Sequence, residues 1–195
     1  MDAAPFFLLR YQPLHGAMTD RLFADLTDAQ LRARPQSQNS LVWLLWHVAR
    51  AEDIGINRFA DDRSEVFDDE QWAKRIGVSR RDLGTGMTSP EVDDLSARVD
   101  IGALRAYWDA VGRRTTEAIR SAGSKEWDDP VPAARIRGIV RDEGDYGPNV
   151  NAERVETYYA GMTRGWAVAH FALAHSWGHF YEASVVRGML GFPGS

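Results

Sequence analysis

At 195 residues and 44% apolar content, the chain is long enough for one domain with a sizeable core and too apolar for a disordered protein. A formal net charge of −5 with only two lysines excludes a basic face for nucleic acid, and no apolar run approaches the roughly 20 residues of a membrane span. Cysteine is absent, which excludes disulfides, thiolate nucleophiles and Cys-type zinc sites and leaves any transition-metal site to histidine and carboxylate.

The opening Met1-Asp2-Ala3-Ala4-Pro5-Phe6-Phe7 has an acidic residue before its apolar run and no basic region, so it does not read as a secretory signal. A single cytoplasmic domain over residues 1–195 is the expectation, with no nucleic-acid or membrane partner. Phe7, Tyr11, Leu14, Met18 and Leu22 recur at steps of four and three, the stripe of a first helix that Pro13 should kink. Thr27-Asp28-Ala29-Gln30 fits a capping box opening a short helix that ends before Pro35. Asn39 or Ser40 caps the next helix, predicted to run to about Phe59 with Leu44, His47, Val48, Ala51, Gly55 and Phe59 on its inner side. Glu52 and Asp53 turn away from that side and are expected on a solvated face. Asp68-Asp69-Glu70 reads as the acidic first turn of a short helix.

Asp100 is the expected N-cap of a third long helix ending near Gly123, with Ile101, Leu104, Trp108, Val111, Thr115, Ala118 and Ala122 facing inward. Residues 134–140 could be extended, and Asn151 could start another short helix. The last long helix should cover Trp166 to Leu190, with Phe171, His175, Gly178, His179, Glu182, Val186 and Met189 sharing a face. Four long amphipathic segments in one domain predict an all-α four-helix bundle. The connections at about 61–99 and 123–162 are long for a minimal bundle and should hold short helices or functional loops.

His175 and His179 stand four residues apart, so both imidazoles leave one helix face and can hold one metal ion. His47, alone in its helix and on the apolar stripe, is the third candidate ligand, since a buried imidazole needs partners for both nitrogens. Three neutral imidazoles suit Zn²⁺, Ni²⁺ or Fe²⁺ and leave coordination positions for water, substrate or a carboxylate. Glu182 follows on the same face as a fourth ligand, an acceptor behind a ligand, or a base; the bland alternative pairs it with Arg187 at the surface. Ser176 occupies the place of the zinc-protease glutamate, so protease chemistry is unsupported. His170, about 140° around an α-helix from His175, should point elsewhere, and His15 is expected to be structural or exposed. Trp43, Trp46 and Trp177 are expected in core or pocket wall, and Tyr158 and Tyr159 at a pocket mouth.

Asn39-Ser40-Leu41-Val42-Trp43-Leu44-Leu45-Trp46-His47 and His175-Ser176-Trp177-Gly178-His179 together resemble the DinB-like metalloproteins, which include the YfiT-like and mycothiol-dependent maleylpyruvate isomerase branches. Leu26-Thr27-Asp28-Ala29-Gln30-Leu31 and Arg187-Gly188-Met189-Leu190-Gly191-Phe192-Pro193-Gly194 look like further landmarks of that family. The resemblance implies an up-down-down-up bundle with a divalent metal at His47, His175 and His179. It also implies an enzyme that activates a low-molecular-weight thiol, or water, toward a small electrophile. Tyr181-Glu182 stands where the family often has Gly-Gln, so the resemblance does not fix a role for Glu182 behind the ligands; as a catalytic residue, Glu182 or a loop carboxylate would be the proton acceptor. A non-catalytic metal-binding stress or sensor bundle is the alternative, and a homodimer through helices fits the aromatic content.

Overall fold

The computed structural model describes residues 3–122 and 126–193. Gly123 and Gly194, where a helix end and a family landmark were expected, lie outside them. Every regular element among the described residues is helical, and the one strand-like pairing is an isolated bridge between Pro130 and Thr163. None of the helices is long and apolar enough to cross a membrane.

Four long helical segments build the bundle. We label as α1 the run Ala3–Pro13, Leu14–Met18 and Thr19–Phe23. The second, α2, is Leu41–Asp53 continued by Ile54–Ala60; α3 is Ile101–Ser121; and α4 is Arg164–Val168, Ala169–His175 and Ser176–Met189. Three of the four contain a π-helical turn, at Leu14–Met18, Ile54–Ala60 and Ala169–His175. These i→i+5 turns take up an extra residue and shift the faces of the helix on either side. In α1 the break falls at Gly16 (φ −119°, ψ −109°), just beyond Pro13.

Local chemistry sets the helix starts as the sequence predicts. Thr27 and Gln30 form a reciprocal capping box on Asp28–Arg32. Ser40 Oγ accepts from the Trp43 amide at 3.0 Å to open α2, and Asp100 Oδ1 accepts from the Ala103 amide at 2.8 Å to open α3. Asn151 caps Ala152–Tyr159. The long connections hold further short helices: Val66–Asp69, Trp72–Ile76 and Ser89–Arg98. The acids Asp68 and Asp69 close the first of these, and Gln71, in the left-handed region at φ 54°, separates it from the second. Residues 134–140 are helical (Ala133–Arg137, then a π turn Gly138–Asp142), which corrects the extended reading.

α2 is the axis. Every residue of Leu41–Asp53 is buried, since α3, α4 and the Ser89–Arg98 helix all pack against it. Gly55 permits the closest approach: a Cβ there would lie 2.2 Å from Phe171 Cγ of α4. The predicted solvated side of α2 does not exist. Glu52 and Asp53 are fully buried, and each is satisfied by hydrogen-bond donors distant in sequence. Glu52 accepts from Tyr11, from Thr115 at 2.7 Å and from His15 at 3.1 Å; Asp53 accepts from Tyr107 at 2.7 Å and from the Val66 and Phe67 amides at 2.9 Å.

Candidate metal centre

Ser40 starts α2 so that His47 falls two turns in, on the side facing α4. Its Nδ1 lies 2.6 Å from the Leu83 carbonyl oxygen. A carbonyl only accepts, so Nδ1 carries the proton and Nε2 keeps its lone pair. Trp43, one turn earlier, stacks on the ring with centroids 4.8 Å apart and planes at 10°. Two freedoms of the imidazole, its tautomer and its tilt, are thereby restricted.

On α4, four-residue spacing places His175 and His179 on one face, with ring centroids 4.6 Å apart. The His47 ring lies 4.9 Å from that of His175 and 4.6 Å from that of His179. One nitrogen from each of the three lies within 4.8 Å of the others. His179 Nδ1 is 2.8 Å from Glu182 Oε2, and Asn39 Nδ2 donates to Glu182 Oε1 at 3.2 Å. That pairing, the His179 hydrogen bond first, lowers the Glu182 pKa and keeps the carboxylate ionised. His175 Nδ1 is buried without a hydrogen-bond partner.

Electrostatics favour the ligating form of His47 and His175. Burial first, then the neighbouring His179, lowers the His47 pKa to about 4. Burial first, then the imidazoles of His47, His179 and His170, holds the His175 pKa well below its ordinary value. Three converging imidazoles, two with their remote nitrogens fixed by a carbonyl and a carboxylate and one with an orphaned buried nitrogen, fit a divalent cation.

The structure corrects two placements around this cluster. His170 does not point away: the π turn carries it back toward the triad, with its ring 6.1 Å from that of His175. It stacks on Trp166 at 4.6 Å, and with Tyr158 it extends an aromatic wall from the cluster to the surface. Arg187 donates to the carbonyls of Leu22, Ala24 and Pro193, so it does not pair with Glu182. His15 is structural as expected, stacked on Trp108 and bonded to Glu52. Ser176 is buried and donates to the Phe171 carbonyl.

Sequence reasoning missed the Leu83 carbonyl, which no residue type announces, and read Asn39 only as a cap. Its place in the Asn39-Ser40 pair at the head of the His47 helix was the available signal.

An all-helical bundle in which two long helices bring three histidines together defines a class of helical proteins equipped for a metal ion. Residues 14–183 match the DinB superfamily model, and the chain belongs to that superfamily. A crystal structure described as the conserved protein of locus from Enterococcus faecalis is similar over 97% of this chain and 98% of its own. The TM-score is 0.72 at 16% identity, a likeness of fold. A search of curated proteins finds no match.

Proposed function

We propose that the protein is a divalent-metal-dependent enzyme acting on a small electrophile with a low-molecular-weight thiol, or water, as nucleophile. The observation that carries this reading is the convergence of His47, His175 and His179, with the remote nitrogens of two rings held by the Leu83 carbonyl and Glu182. These three histidines would hold the ion, whether zinc, nickel or iron. The ion would supply the positive charge that lowers the pKa of a thiol or water. Leu83 and Glu182 keep His47 and His179 in the ligating tautomer. Glu182, ionised and half-buried beside His179, or a loop carboxylate, is the candidate proton acceptor for the nucleophile. Trp43 backs the His47 ring against displacement.

A second reading, a metal-binding bundle without catalysis, draws support from the burial of the His47 ring, which ties metal occupancy to folding. Elemental mass spectrometry on untagged wild type and His175→Ala is the first test. About one divalent ion per chain, lost in the variant, is the expected result; no ion in either after reconstitution removes the metal reading. Metal-loaded protein would then be assayed with thiol and electrophile panels. Turnover requiring both metal and thiol, and abolished in His47→Ala, supports the enzyme; stabilisation by metal without turnover supports the second reading.

A further inference from the structure

Segment 79–87 crosses α2 beside the cluster and grips His47 twice. Leu83 offers its carbonyl to Nδ1, while Met87 Sδ accepts from Trp43 Nε1 at 3.2 Å and so holds the indole that stacks on the ring. Leu83 has no spare backbone group, because its amide donates to the Asp145 carbonyl at 2.9 Å.

The segment is tied down by buried charge. Arg50, one turn beyond His47 on α2 and fully buried, donates through Nε to the Arg81 carbonyl at 2.7 Å. Glu65 at 2.5 Å and the Tyr107 hydroxyl at 3.1 Å fix the Arg50 guanidinium. The Arg81 side chain reaches Glu65 at 2.7 Å, Asp68 at 3.2 Å and Asp145 at 3.3 Å. Within the segment, Asp82 accepts from the Gly84 amide at 2.8 Å and is clasped by Arg80. Gly84 takes φ +88°, and a Cβ there would meet Met87 Sδ at 3.2 Å and the Trp43 ring at 3.4 Å. The Arg50–Glu65 pair is buried on both sides, and such a pair adds little net stability over apolar residues of the same size, yet removing one partner is costly. The consequence of these contacts is geometric: they place one carbonyl oxygen.

We propose that segment 79–87 is a positioning strap, anchored by Arg50 and Arg81, that sets the tautomer and orientation of His47 and through them the affinity of the cluster for a divalent cation. The inference rests on the metal reading of His47, His175 and His179.

The test compares wild type, Arg81→Met, Arg81→Lys and Asp82→Ala. The His47 tautomer in metal-free protein is read by long-range ¹H–¹⁵N NMR, zinc affinity by competition with a chromophoric chelator, and folding by circular dichroism. Wild type should show the proton on Nδ1. Arg81→Met and Asp82→Ala should show mixed tautomers and bind zinc about 10–100-fold more weakly at unchanged helical content. Arg81→Lys should recover part of the loss. Unchanged tautomer and affinity in the folded variants overturns the strap. If Arg81→Met does not fold, Asp82→Ala, altered only within the strap, decides. If wild type takes up neither zinc, nickel nor iron(II), the metal reading fails by itself and the tautomer comparison still decides the strap: a shift in the variants supports it, and none overturns it.

Discussion

Each histidine of the cluster treats its second ring nitrogen differently, and that difference orders the effects of substitution. Replacing Glu182 with glutamine leaves an oxygen that can accept from His179 but removes the negative charge behind it. Zinc affinity in Glu182→Gln should fall about tenfold. Because glutamine cannot take a proton, turnover at saturating metal should fall further than affinity does. Chelator competition and turnover measured on one preparation check this, and equal values in both proteins would remove Glu182 from both roles. The three histidines were legible because α-helical spacing and an apolar stripe suffice to put rings on facing sides. His170 was not, since an α-helical count assigns it an angle that the π turn alters. Glu52 and Asp53 misled for a different reason: with Arg50 they put three charges within four residues, which looks solvated, and the partners of the three lie as far along the chain as His15, Tyr11, Glu65, Tyr107 and Thr115.

Among the elements, starts were legible and interruptions were not. An N-cap is written in one side chain and the residue three positions on, so Thr27, Ser40, Asp100 and Asn151 could be read directly. Asp100→Ala should cost about 1 kcal/mol by urea denaturation; no change would show that α3 does not depend on its cap. A π turn has no comparable residue signature and emerges from packing between helices. Gly55 sets two effects against each other. Alanine would improve helix propensity by about 1 kcal/mol, but its Cβ would collide with Phe171, and overpacking costs about 1–3 kcal/mol. The collision should win unless α2 and α4 can separate, so Gly55→Ala should lower Tm by several degrees in a thermal melt. A raised Tm would mean the two helices part without penalty.

Across the whole molecule, buried charge gives stability a pH dependence. Burial, then the Glu65 carboxylate, pushes the Asp145 pKa up to about 7. Between about pH 4, where an unfolded aspartate ionises, and pH 7, the folded chain holds a proton there that the unfolded chain has released. That contribution is fully present below the unfolded pKa and is lost as pH rises to 7. His47, lowered to about 4, acts in the opposite direction between pH 4 and 6.5, but equally in both proteins compared. Asp145→Asn should therefore gain on wild type as pH rises from 4 to 8 in urea melts at stepped pH; a constant difference would contradict the raised pKa. On the outer surface, Phe6 and Leu9 of α1 and Tyr181, Val185 and Met189 of α4 are exposed.

The enclosure of α2 has a kinetic consequence. His47 sits on the one long helix without a solvent face, whereas His175 and His179 sit on α4, whose Gly178, Tyr181, Val185 and Met189 face outward. Amides of Leu44–Ala51 should exchange with deuterium only on global unfolding, and those of Ser176–Met189 through smaller openings that a bound ion suppresses. The rate at which an ion leaves would then be set by how often the C-terminal helix lifts from a partner that stays in place.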